Sequence, residues 1–165
     1  MSNGELFEAA GEVLGLCGRH RFKLVTAESC TGGMIAAAIT ATSGSSAVFD
    51  RGYVTYSNRA KIDDIGVPAE LIEKHGAVSE EVARAMAAGA IKTAEVDIGL
   101  AVTGIAGPAG GTPQKPVGLV HIAVAHRGGK CLHRECRYGP IGRGEIRHLS
   151  SLATLALAKE LLLQF

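Results

Sequence analysis

The chain has 165 residues, with 17 Lys and Arg against 16 Asp and Glu, for a formal net charge of +1. That balance excludes recognition of nucleic acid through a broad basic field, and a hydrophobic share of 47% excludes a disordered chain. Aromatic residues are 4% with no Trp, which removes stacking platforms for single strands, whereas 22 glycines suit loops that bring backbone close to a small ligand.

In chain order, Leu6, Ala10, Val13, Leu14 and Cys17 recur at helical spacing and predict an amphipathic helix over 4–20. Residues 22–27 predict a short strand, and 32–41 a helix opened by Ser29 or Thr31 as its cap. A second strand is predicted over 48–56, then a short helix over 59–64 between Asn58 as cap and Gly66 as stop. Ser79, followed by Glu80 and Glu81, starts a helix whose Val82, Met86 and Ala90 form one apolar face up to about Thr93. The apolar run 98–103 suits a buried strand and ends in an irregular glycine-rich loop over 104–111. Residues 117–125 and 130–138 alternate on either side of Gly128-Gly129 and predict a hairpin. A last helix is predicted over 141–163, with Ile146, Leu149, Leu152 and Ala156 inward. Helices that separate the strands, plus one hairpin, predict a single α/β domain over 1–165: three α/β/α layers around a mixed sheet of five or six strands.

Cys17, Cys30, Cys131 and Cys136 form no Cys-x-x-Cys pair. Strand alternation puts Cys131 and His133 on one face and Cys136 on the other, so small buried thiols are expected there and no metal site. The six histidines have no metal-ligand spacing, and His121 and His126 fall on strands. The first residues lack a signal-peptide pattern, and the apolar run 152–163 is interrupted by Lys159 and Glu160 and too short to span a bilayer. A soluble protein in the reducing cytoplasm is the expectation, with no membrane partner.

Four segments have the residue types for chemistry. In Ala27-Glu-Ser-Cys-Thr-Gly-Gly33, a strand hands over to a helix. A hydroxyl there is either a helix cap or a nucleophile beside free N–H groups able to hold an oxyanion, with Gly32 and Gly33 allowing close approach. Neither Gly-x-Ser-x-Gly nor Ser-x-x-Lys is present. In the second segment, Tyr53 to Lys61, Lys61 is either a solvated helix lysine or a base whose pKa burial lowers, with Tyr56 to relay a proton or orient the amine. The third runs from Thr103 and Gly104 through Gly107 to Thr112 and is an amide nest fit for an anion, without the Walker A or dinucleotide-binding pattern. In the fourth, Arg143 and Arg147 stand four apart on one helix face, placed either to hold a phosphate or to pair with acids such as Glu145.

Glu28-Ser-Cys-Thr-Gly-Gly33, Tyr56-Ser-Asn-Arg-Ala-Lys61, Gly76-Ala-Val-Ser79 and Thr103 to Gly118 come in the order seen in the CinA C-terminal domain family, which the sequence closely resembles over nearly its whole length. The resemblance implies a cytoplasmic amidase that hydrolyses the carboxamide of nicotinamide mononucleotide to nicotinate mononucleotide and ammonia, in pyridine-nucleotide salvage. It places the family's serine at Ser29, its lysine at Lys61, its tyrosine at Tyr56 and its arginine at Arg143, with Thr31, Gly32, Gly33, Thr103, Gly104 and Gly107 around the substrate. It implies no metal or organic cofactor and a homo-oligomer, a dimer foremost. The family's name suggests DNA binding in competence, but the neutral charge and the lack of a basic stripe argue against it, so no nucleic-acid partner is expected. Two-domain members carry an N-terminal domain of molybdopterin-binding type with a pyrophosphatase activity, so only the amidase role carries over. The rival reading is a non-catalytic nucleotide-binding module that uses the same loop and arginines.

Overall fold

A computed structural model describes residues 3–165; Met1 and Ser2, part of the domain expected over 1–165, lie outside the described residues. The elements run α1 (Asn3–His20), β1 (Leu24–Glu28), α2 (Met34–Thr40), β2 (Phe49–Val54), α3 (Asn58–Ile65), α4 (Ala69–His75), α5 (Glu80–Ala94), β3 (Ile98–Gly104), β4 (Leu119–His126), β5 (Cys131–Arg137) and α6 (Arg143–Leu162). The strands form one open sheet in the order β2-β1-β3-β4-β5. β1 runs parallel to both β2 and β3, and β3, β4 and β5 pair antiparallel, so the sheet is mixed.

Alternation along the strands sorts the two faces by size. Ile98, Leu100, Val102, Ile122 and Val124 point to a bulky core under α1, α2 and α6. Ala27, Ala101, Ala123 and Ala125 point the other way, under α5. Small residues on that face let α5 lie close: a Cβ at Gly99 would come 2.5 Å from the Ala87 carbonyl oxygen. Cys136 packs into the first core and Cys131 into the second, on opposite faces as the alternation requires.

Four local expectations change. Neither Ser29 nor Thr31 caps α2; its N-cap is Gly33, which offers no side chain, and the Glu28 carboxylate takes the Ile35 and Ala36 amides at 2.7 and 3.3 Å. Ser57, not Asn58, caps α3 by accepting from the Ala60 amide, while Gly66 at φ 66° stops it. A helix unforeseen from the sequence, α4, fills 69–75 between Pro68 and Gly76. Finally, α6 begins at Arg143 after Gly142 (φ 107°), and of the expected inward residues Ile146 is buried and Leu152 packs against the core, but the stripe does not extend to Ala156. Ala156 is exposed, whereas Ser150, Ser151 and Thr154 are buried. Their hydroxyls donate to the carbonyls four residues earlier, so they can be buried without orphaned polar groups.

Candidate active site

The carboxyl ends of the three parallel strands converge on one spot, the usual place for ligands in open α/β sheets. β1 ends at Glu28, and the next amide, of Ser29, still donates to Val102 of β3. On the other side the Thr55 amide donates to the Glu28 carbonyl, which continues the β1–β2 pairing one step past β2. This brings the 55–57 segment against the 29–33 turn. The Ser57 cap then starts α3, and Lys61 comes one turn in.

There Lys61 is 1% exposed and Ser29 8%. Lys61 Nζ lies 3.1 Å from Ser29 Oγ, 2.8 Å from the Thr55 carbonyl oxygen and 3.5 Å from that of Tyr56. No carboxylate pairs with the amine among the described residues, and burial pushes its pKa below the ordinary lysine value. A neutral amine has two hydrogens and one lone pair. The two carbonyls accept the hydrogens, and the lone pair is left for the Ser29 hydroxyl. The neighbouring Cys30 is no rival nucleophile at neutral pH, because burial pushes its thiol up to about 11.

The turn that carries Ser29 needs its glycines: Gly32 sits at φ 58° and Gly33 at φ 96°, a region side chains rarely adopt. Glu28 is fully buried below the turn and accepts from the Thr31 hydroxyl at 2.9 Å as well as from the two α2 amides. Burial raises its pKa, opposed by those donors and by the charge of Arg147. The Gly32 amide donates to the Ser29 carbonyl, so it is committed to the turn.

A cavity of about 230 Å³ opens over Ser29 and Lys61, walled by Cys30, Ala77, Thr103 and Arg143. The Thr103 hydroxyl donates to the Ala77 carbonyl and fixes the α4–α5 connection as one wall. Lys115, beyond the glycine-rich loop, donates to the His75 and Val78 carbonyls of the same wall. Arg143 stands at the mouth, with one N–H on the Gly107 carbonyl and one on the Tyr56 hydroxyl, each at 2.9 Å. Tyr56, 60% exposed, meets the lysine through its carbonyl and the arginine through its hydroxyl. Arg147, one turn further along α6, spends its guanidinium on the Cys30 and Thr31 carbonyls, each at 3.0 Å. Neither arginine pairs with a carboxylate among the described residues.

Sequence reasoning thus names Ser29, Tyr56, Lys61, Thr103, Gly104 and Arg143, which the structure gathers around one cavity, whereas Thr31, Gly32, Gly33 and Gly107 are not among its lining residues. Thr31 points its hydroxyl to Glu28, away from any ligand role of that group. Glu28, Ala77 and Val78 went unnamed as site residues. The available signal was position: Glu28 directly precedes Ser29, and Ala77-Val78 lies inside Gly76-Ala-Val-Ser79.

The family model for the CinA C-terminal domain matches residues 7–162. Among solved structures, the fold is similar to a competence/damage inducible protein from Agrobacterium tumefaciens, with a TM-score of 0.88 and 50% identity over 98% of this chain and 95% of that one. It is also similar to a CinA superfamily protein from Klebsiella pneumoniae, with a TM-score of 0.91 and 33% identity over 97% and 99% of the two chains. A CinA-like protein from Geotalea daltonii is 52% identical over 155 residues, which are 91% of this chain and 36% of that one. The chain spans about a third of the length of the curated relatives it matches. Among the described residues no helix is long and apolar enough to cross a membrane.

Proposed function

The chain belongs to the CinA C-terminal domain family, and we propose that it is a serine amidase that deamidates nicotinamide mononucleotide. The observation that carries this reading is the buried contact of 3.1 Å between Ser29 Oγ and Lys61 Nζ. It pairs a nucleophile with a base whose pKa is lowered, as acyl transfer near neutral pH requires.

Neutral Lys61 accepts the proton of Ser29 as Oγ attacks the carboxamide carbon. The charge that develops on the carboxamide oxygen meets backbone N–H groups. Since the Gly32 amide is committed, the Cys30 amide takes this role; it donates to no carbonyl among the described residues, only to its own thiol, and belongs to a residue lining the cavity. The Lys61 ammonium then gives its proton to the departing nitrogen. Ammonia leaves, and the acyl group stays as an ester on Ser29. In the second half Lys61 takes a proton from water, hydroxide attacks the ester, and the ammonium returns the proton to Oγ as nicotinate mononucleotide departs. Atoms balance with one water consumed per ammonia released. Tyr56 lines the mouth in this scheme, and Lys61 alone is the base.

A cavity of about 230 Å³ is smaller than the roughly 300–1,000 Å³ of sites that enclose a whole ligand. It takes the reacting pyridine carboxamide, and the ribose phosphate extends to the mouth. Arg143 has five N–H groups and uses two on the protein, leaving donors for the phosphate. The test is ammonia and nicotinate mononucleotide produced from nicotinamide mononucleotide in buffer with a chelator. Equal amounts of the two products support the reading, and binding without ammonia release would make the protein a nucleotide-binding module.

A further inference from the structure

Resting on the amidase reading, we propose that Glu28 and Arg147 are positioning residues: together they grip the 29–33 turn and set the direction of the Ser29 hydroxyl and the adjacent amides. Glu28 holds the turn through the Thr31 hydroxyl and through the Ile35 and Ala36 amides at the start of α2. Arg147 holds the same turn through the Cys30 and Thr31 carbonyls. Together with the turn's own hydrogen bonds, this fixes every peptide unit across the nucleophile. The Ser29 carbonyl accepts from the Gly32 amide, the Cys30 carbonyl from Arg147 Nε, and the Thr31 carbonyl from both Arg147 and the Met34 amide.

In a trans peptide the C=O and the N–H point in opposite directions. Fixing the Ser29 carbonyl therefore fixes the Cys30 N–H, and fixing the Cys30 carbonyl fixes the Thr31 N–H. Neither amide donates to a carbonyl among the described residues, and that of Cys30 meets only its own thiol. They are the donors beside the nucleophile, and Arg147 orients one of them without touching substrate.

A carboxylate with none of its surface exposed is a costly way to start a seven-residue helix. A serine at the N-cap position, as at Ser57 and Ser79 in this same chain, does that job cheaply. What Glu28 adds is the grip on Thr31, two residues after the nucleophile. Burial raises its pKa, and the amides and hydroxyl it accepts from oppose that, with a smaller contribution from the charge of Arg147. The two residues come from the first strand and the last helix, so the grip also ties the nucleophile to the helix that carries Arg143.

The experiment compares wild type with Glu28→Gln, Arg147→Lys and the double variant, by kcat and KM on nicotinamide mononucleotide and by the rate at which a fluorophosphonate labels Ser29. Folding is followed by circular dichroism and melting. A small displacement of reacting groups costs up to about 10²-fold in rate. We expect Glu28→Gln and Arg147→Lys each to lower kcat and the labelling rate about 10- to 100-fold, with KM changed less than about threefold. The double variant should lose less than the product of the single losses, because both side chains hold one turn. Folded variants with wild-type kcat and labelling rate would overturn the proposal, as would a loss confined to KM. Should Glu28→Gln fail to fold, Arg147→Lys decides by the same criteria, since its ammonium still reaches one carbonyl. A wild type that labels at Ser29 but releases no ammonia would remove the amidase reading alone, and the labelling rates would then decide this one. Absence of labelling in the wild type would overturn both.

Discussion

Several cavities open among the described residues, and a much larger one than that over Ser29 is not where the chemistry gathers. Between the second half of α5 and the β4–β5 hairpin lies a space of about 560 Å³, walled by Ile91, Val96, Ala125 and Cys131 with Arg84 and Lys92 at its rim. The cavity over Ser29 is less than half that size, about 230 Å³. The large one has apolar walls, and both arginines that line it are already bound: Arg84 to Glu80 and the Cys131 carbonyl, and Arg127 to Asp97. The small one has a buried lysine without a carboxylate, touching a buried hydroxyl, with backbone amides beside them. Size measures how helices meet a sheet; convergence of unpaired polar groups under burial marks where protons are moved.

The largest effect that separates the two cavities should come from Lys61. Lys61→Arg keeps a positive charge but has no lone pair at usable pH, and kcat should fall by about 10³-fold or more. In the wild type, activity should rise with pH through the lowered pKa of Lys61 and then level off, because the neutral amine is the working form. Stability should follow the same sign. Between that lowered pKa and the ordinary 10.5, the unfolded chain holds one more proton than the folded one, so stability rises with pH across the window. Lys61→Met should abolish that slope. An active Lys61→Arg protein, or a profile flat in pH, would reduce the lysine to a structural cation.

Next comes the mouth of the small cavity. A charged hydrogen bond is typically worth about 1.5–3 kcal/mol, so Arg143→Ala should lower kcat/KM about 10- to 150-fold for the mononucleotide. Nicotinamide riboside, without the phosphate, should be a poor substrate for both proteins and respond little. The ratio of mononucleotide to riboside efficiency should therefore drop, and an unchanged ratio would remove Arg143 from phosphate recognition.

Gly89 probes the packing of α5, which walls the large cavity, on α3, which carries Lys61. It lies on α5, and a Cβ there would stand 1.9 Å from the carbonyl oxygen of Ile65, the last residue of the helix that carries Lys61. Gly89→Ala should destabilise the domain by about 1–3 kcal/mol in urea unfolding, because α3 must move outward. The smallest effect belongs to the large cavity. Lys92→Ala at its rim should leave kcat/KM within about twofold of wild type, as surface changes away from a site do; a loss beyond tenfold would show that the two cavities communicate.

The sheet and five of the helices are legible in the sequence, the long elements from apolar periods that run for several turns or alternations and the short α2 and α3 from the cap and stop signals around them. α4 is not, since a seven-residue helix with Leu71 and Ile72 as its larger apolar residues gives a period nothing to repeat over. The α6 stripe misleads for another reason: its buried face includes Ser150, Ser151 and Thr154, which hide by bonding their own helix. At the site, resemblance brings Ser29 and Lys61 forward, but their contact spans 32 positions and depends on Thr55 pairing with Glu28. Glu28 escapes any capping rule because it serves an amide seven residues ahead, reached only through the tight turn at Gly32 and Gly33. Arg143 and Arg147 look equivalent on one helix face, and only the fold separates the one at the mouth from the one bound to the turn.

Ammonia release by Ser29→Ala, measured beside wild type with nicotinamide mononucleotide, tests the central claim most directly. With the fold verified by its melting curve, the variant should still bind the nucleotide while turnover falls at least about 10²-fold, because no ester can form. Turnover near the wild-type rate would remove Ser29 from the mechanism and with it the serine–lysine account of this site.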